Sequence, residues 1–293
     1  MSLTIRNAGD AMAICEKNGW RLHETALAYE LAKGTESRED ILTRMGRHFS
    51  AMQESIKAGL VGTEEGACKM FRDDAKRLMA YREKKMTLSG QTMTKAAAYA
   101  LAVMEINCSM GRIVAAPTAG SCGVLPAVIS ASMETLSKGE AEGVQALLTA
   151  GLVGVIIGKN ASLSGAEGGC QAEIGSAAAM GAAAVTEMAG GTPKQSFDAA
   201  AIALKSMMGL VCDPVAGLVE VPCAKRNSTG SAIALVSADM ALSGIVSVIP
   251  FDEVVMAMSK VGRTIPVSLR ETAEGGVAAT PTGRRLKQEI FEP

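Results

Sequence analysis

Apolar residues along this chain recur at helical spacing, and alternating strand patterns are scarce. After Ser37 and the acidic pair Glu39 and Asp40, the side chains of Ile41, Met45, Phe49 and Met52 fall on one face of a 3.6-residue repeat. The spacing predicts an amphipathic helix with a negatively charged start, where free N–H groups favour it. Thr192-Pro193-Lys194-Gln195 sets an N-cap, a first-turn proline and an N3 glutamine in order, and Gly209 is a natural stop. A similar pattern runs from Ala97 to Met110, and Pro250 opens a helix that reaches about Gly262. The longest apolar stretches are Val144–Gly158 and Ser231–Phe251. The first is short for a bilayer span, and the second contains Asp239 and several small residues. Both predict buried core helices and no membrane association.

Polar positions divide the chain unevenly. Residues 1–87 hold 15 basic and 13 acidic side chains, whereas residues 96–250 hold only 7 and 11. The expected organisation is an amphipathic helical subregion, 1–87, followed by a helical core, 88–293, in one continuous all-α domain. The first of nine prolines is Pro117, so helix-compatible sequence precedes it throughout. Hydrophobic residues make up 48% of the 293 residues but aromatics only 3%, with 31 glycines. Such a compact core must be built from Ala, Gly, Leu, Ile, Val and Met, whose small members let helix backbones approach closely. A net charge of −1 lacks the basic excess of a nucleic-acid binder. The N-terminus carries no apolar leader, which makes a cytoplasmic setting the expectation. Seven cysteines, an odd number, exclude a complete internal disulfide framework.

Chemistry concentrates in three Gly-rich segments: 115–123, 160–170 and 212–217. Tight backbone, hydroxyls, amides and thiols meet there at helix ends, where free N–H groups hold anions. Cys15, Cys68 and Cys108 sit in helical patterns and read as small packed side chains, while Cys122 lies in a turn. Cys170, Cys212 and Cys223 stand apart, each following or opening a Gly/Pro-rich loop with polar neighbours. Their spacings contain no CxxC, so the residues alone leave metal binding and reactive or buried thiols both open. Both histidines, His23 and His48, lie far upstream. Three thiolates without histidine favour an iron–sulfur cluster over zinc, with one iron left without a ligand from this set.

Five segments carry a resemblance: SGQTMTKAAAYA (89–100), GRIVAAPTAGSCGVLPA (111–127), GKNASLSGAEGGCQAEIGSAAAM (158–180), GLVCDPVAGLVEVPCAKRN (209–227) and GGVAATPTGRRL (275–286). They resemble the iron–sulfur-dependent L-serine dehydratases, or L-serine ammonia-lyases, in the α part of the two-subunit form. The resemblance is dense over about 86–290. It implies an all-helical domain holding a [4Fe-4S] cluster on Cys170, Cys212 and Cys223, without pyridoxal phosphate. It also implies a separate β subunit, because the Ser-Ser-His-Thr motif of single-chain relatives is missing here. No cysteine follows Cys223, so the C-terminal cysteine ligand of some relatives is missing too.

On this reading the substrate is L-serine, and the cluster acts as a Lewis acid on the β-hydroxyl. Thr118, Ala119, Gly120 and Ser121 are the leading candidates to hold its carboxylate, with an ordinary capping turn as the alternative. Ser89, Lys159, Asn160 and Arg226 are further candidates. Thr92 and Lys95 read as a plain helix start; Glu167 and Glu173 flank Cys170 and read as its partners or a base, with a solvated or capping role as the alternative. No histidine lies near the cysteines in sequence, so the general base is expected from the β subunit. Competing readings are a related β-elimination, such as cysteine desulfidation, and a non-catalytic iron–sulfur or zinc sensor or scaffold.

Overall fold

A computed structural model describes residues 3–84 and 86–292; Met1, Ser2, Lys85 and Pro293 lie outside the described residues. The charged first zone forms α1 (Ala8–Asn18), α2 (Leu22–Leu31), α3 (Arg38–Val61) and α4 (Asp74–Lys84). The core zone forms α5 (Gln91–Cys108), α6 (Val124–Leu136), α7 (Glu140–Asn160), a single turn α8 (Gly165–Gly168) and α9 (Ser176–Met188). It continues through α10 (Pro193–Ser206), α11 (Cys223–Leu242), α12 (Phe251–Thr264) and α13 (Pro281–Phe291). No strand occurs among the described residues; the one β-type pairing is an isolated parallel bridge between Cys212 and Arg270. The fold is all-α, as the periodicity predicts.

Local signals placed several helix starts correctly. Ser37 Oγ accepts from the Asp40 N–H at 3.1 Å, and Asp40 returns the bond to Ser37 N, also at 3.1 Å. Thr192 and Gln195 make the same reciprocal pair ahead of α10. The helix from Phe251 runs to Thr264, close to the expected end at Gly262.

Helix α9 is the centre of the molecule. Every residue from Ser176 to Glu187 is buried, and half of those twelve are alanine. Their small side chains let α6, α7, α10 and α11 pack directly around it. The α3–α5 crossing is equally close: a Cβ on Gly59 would stand 2.7 Å from Ala102 Cα. Helix α7 is long and apolar enough to cross a membrane, yet it lies against α9 and α2 with most of its apolar residues buried.

Three expectations need correction. The apolar stretch 231–251 is not one helix. Helix α11 stops at Leu242, and Ile245, Val246, Val248 and Ile249 lie exposed in the following loop. The proline-free N-terminal zone is also interrupted, by a non-helical segment between Val61 and Asp74. Two buried carboxylates hold that segment by its backbone: Glu220 accepts from Lys69 N and Met70 N, and Glu105 from Asp73 N and Ala75 N. These tertiary acceptors replace the helical hydrogen bonds that the local sequence favours. Finally, Cys68 and Cys108 are not separate packed thiols. They form a disulfide, with their Cα atoms 5.5 Å apart, that ties the same segment to the end of α5.

Candidate active site

Three separate segments deliver the three singled-out cysteines to one place. Gly169, in the left-handed region at φ 76°, ends α8 and turns the chain into Cys170. A single wide helical turn, Gln171–Gly175, follows before α9; such π-type turns recur at functional sites. The buried Gln171 fastens the second segment to the first. Its Oε1 accepts from Gly209 N at 2.9 Å, and its backbone N–H donates to Leu210 O at 3.0 Å. Cys212 is then clamped from the far side: its N–H donates to Leu269 O at 2.9 Å and its carbonyl accepts from Glu271 N at 2.7 Å. Cys223 begins α11. One turn later the buried Asn227 reaches the 118–123 segment, accepting from Gly123 N at 3.0 Å and donating to Gly120 O at 2.8 Å.

Cys212, Cys223, Thr118, Gly120 and the carboxylates of Glu173 and Glu271 line one cavity of about 510 Å³. Candidate ligand atoms of Cys170, Glu173 and Cys212 lie within 4.8 Å of one another, and all three cysteines are buried. Glu173 Oε2 is 4.0 Å from Cys212 Sγ, while its Oε1 accepts from Thr118 Oγ1 at 2.6 Å. Gly165 makes room for this carboxylate, because a Cβ there would collide with Glu173 Oε2.

The thiols are electrostatically unequal. A hydrogen bond from Cys212 holds the Cys170 thiol below its ordinary range, against the effect of burial, and the Arg226 charge adds to the lowering. Cys212, which donates that bond, is pushed up in consequence, and burial raises it further. Burial pushes Cys223 up to about 12. Burial likewise raises Glu173, opposed by the Thr118 hydroxyl. The Cys170–Cys212 pair therefore shares one proton-donating bond, and the Arg226 charge favours placing the negative charge on Cys170. A cation that compensates the remaining charges favours the other two thiolates.

The predicted substrate-binding residues fall in different places. Thr118, Ala119 and Gly120 border the cavity, whereas Ser121 does not line it and is buried, bonded to Thr118. Arg226 packs behind Cys170. Its Nη1 lies 3.6 Å from Cys170 Sγ and 2.8 Å from both Val211 O and Asp213 Oδ1. Lys159 and Asn160 do not join them. Lys159 Nζ donates to Ile5 O and Tyr29 Oη, and Asn160 Nδ2 to Arg6 O, so both fasten the N-terminal segment to the end of α7. Ser89 borders a different cavity, with Asp239 of α11. Sixteen residues of helix separate Asp239 from Cys223, or about 24 Å at 1.5 Å per residue. His23 is engaged with the buried Glu187 near the C-terminal end of α9, and His48 lies exposed on α3.

The residues that sequence reasoning missed are Asp213, Asn227 and Glu271. Asp213 and Asn227 act by holding backbone, and only their adjacency to Cys212 and Cys223 hinted at them. Glu271 lies 48 residues beyond Cys223 and gave no local signal.

The chain matches the family model described as serine dehydratase alpha chain over residues 17–278. It is 48% identical over 286 residues to the probable L-serine dehydratase alpha chain of Bacillus subtilis, covering 98% of this chain and 95% of that one. Identity is 40% over 288 residues to the L-serine dehydratase alpha chain of Peptoniphilus asaccharolyticus, covering 98% and 99%. It is 36% over 280 residues to the L-serine dehydratase of Haemophilus influenzae, where 93% of this chain matches only 61% of that longer protein.

Proposed function

The chain belongs to the serine dehydratase alpha chain family, and from that premise we propose that it is the α subunit of an L-serine ammonia-lyase yielding pyruvate and ammonium. The observation that carries this reading is the convergence of Cys170, Cys212 and Cys223 on the cavity that Thr118 and Glu173 also line. Cys170 reaches it through its contacts to Glu173 and Cys212.

The donor set fits a [4Fe-4S] cluster held by Cys170, Cys212 and Cys223. Three buried thiols converge with no histidine among them, and the adjoining cavity has room for a small substrate. Bound there, such a cluster would supply a Lewis acid to assist departure of the β-hydroxyl. The chain's own residues do the rest of the positioning. The N–H groups of Ala119 and Gly120, at the start of the turn, orient the substrate carboxylate, while the Thr118 hydroxyl donates its proton to Glu173. Glu173 keeps Thr118 in place from the side of Cys212. Arg226 fixes Cys170 from behind and lowers the cost of its negative charge. Leu163, Pro214 and Val219 limit water at the cavity wall. A base from a separate β subunit takes the Cα proton.

The test is anaerobic co-expression with the candidate β chain, followed by pyruvate assay on L-serine, L-threonine and L-cysteine side by side. Rapid, serine-selective pyruvate release is the expected result. Sulfide release from cysteine alone would move the chain to desulfidation. Iron-loaded protein inactive on all three would make it a sensor or scaffold. The α chain alone matching the rate of the complex would remove the β subunit as the source of the base.

A further inference from the structure

The charges on the cavity wall are one-sided. Its ionisable lining groups are the carboxylates of Glu173 and Glu271 and the thiols of Cys212 and Cys223; no lysine, arginine or histidine lines it. Glu173 is already engaged, with its Oε1 bonded to Thr118 and its Oε2 beside Cys212. Glu271 differs. Its side chain takes no hydrogen bond or ion pair from any described residue. Its backbone, however, is held firmly, because its N–H donates to Cys212 O at 2.7 Å and Cys212 N donates to Leu269 O at 2.9 Å. A carboxylate is thus fixed at its root beside a proposed metal ligand, while its head is left unbonded at the cavity wall.

L-Serine brings three groups to such a place: a hydroxyl, a carboxylate and an α-ammonium. The first two have partners in the proposed site. The ammonium has none until Glu271 is counted, and a cation is what a wall of this charge accepts. We propose that Glu271 recognises the α-ammonium group of the substrate and so determines that this cavity takes 2-amino acids in preference to 2-unsubstituted hydroxy acids. The assignment rests on the reading of this cavity as the serine site.

The experiment compares wild-type and Glu271→Gln holoenzyme, prepared anaerobically. D-Serine and 3-hydroxypropionate, which lacks the ammonium, are the competing ligands against L-serine. The wild type should bind D-serine about ten- to a hundredfold more tightly than 3-hydroxypropionate, the range of one charge-assisted hydrogen bond. Glu271→Gln should bring the two inhibitors to within about twofold of each other and raise KM for L-serine, with iron content unchanged. Glu271→Asp should restore part of the preference. A purely structural role for Glu271 would weaken both inhibitors alike. Glu271→Gln protein that keeps the wild-type preference overturns the proposal while leaving the serine reading intact. Wild-type holoenzyme that makes no pyruvate from serine overturns both.

Discussion

Arg226 Nη1 lies 2.8 Å from Asp213 Oδ1, and the two side chains are only 17% and 3% exposed. The same aspartate accepts from Val277 N at 2.7 Å through its other oxygen. One buried ion pair thus joins the first turn of α11, the residue after Cys212 and the Gly-rich segment that precedes α13. Gly276 permits this approach: it sits at φ 59°, and a Cβ there would stand 2.6 Å from Asp213 Cβ. Arg226→Met leaves a buried carboxylate uncompensated and should destabilise the iron-free protein by about 3–5 kcal/mol in urea. Asp213→Asn should cost a comparable amount. The double variant should lose clearly less than the two together, because the partners share one interaction.

Iron content separates cluster ligands from packing cysteines. Replacing Cys170, Cys212 or Cys223 by Ser should each abolish stable iron retention and visible iron–sulfur absorbance. Cys15→Ala and Cys122→Ala should retain both. Burial pushes the Cys122 thiol up to about 12, so it stays neutral at working pH.

Close helix packing predicts opposite outcomes for two glycine substitutions. Gly59→Ala drives a methyl group into the Ala102 backbone and should cost about 1–3 kcal/mol. Gly151, within α7, has nothing within 4 Å of its would-be Cβ. Gly151→Ala should therefore stabilise by up to about 1 kcal/mol through helix propensity. Thermal unfolding of the two variants beside the wild type checks both signs.

Glu105 gives stability a pH dependence of known sign. Burial raises its carboxyl above the ordinary 4.5, against the N–H bonds from Ala75 and Asp73. A carboxyl with a raised folded pKa binds its proton more tightly when folded. Its contribution is therefore most favourable below the unfolded value and is lost as pH rises through the folded one. Glu105→Gln cannot ionise and lacks this slope. The stability of the wild type relative to Glu105→Gln should fall as pH is raised from about 4 to about 7 in urea titrations. An unchanging difference would show that the carboxyl does not titrate in this interval.

The candidate site was legible to the extent that its residues carry local signatures. Cys170, Cys212 and Cys223 stood out because each follows or opens a Gly/Pro-rich loop, and the Thr118–Ser121 turn because it lies in the same kind of segment. Lys159 and Asn160 shared that signature, yet they point to the N-terminal segment, since the direction of a side chain at a helix end depends on what packs there. Ser89 was misleading for a related reason: a chain reversal places it beside the C-terminal end of α11, whereas Cys223 occupies the other end. Glu271 was invisible because its neighbours at the site lie dozens of residues away in the chain, and Asp213 was hinted at only by its place beside Cys212.

By itself, the sequence determined the all-α class, the Ala-rich character of the core and several helix starts, because periodicity, propensity and capping act within a few residues. It also determined the family, through long motifs around the cysteines. Only the tertiary structure decided that α11 ends at Leu242, that Cys68 joins Cys108, that Arg226 faces Cys170 and Asp213, and that Glu271 borders the thiol cavity. Each of these depends on groups far apart in the chain finding partners in space, where burial makes an unpaired charge or backbone group costly and so selects one arrangement.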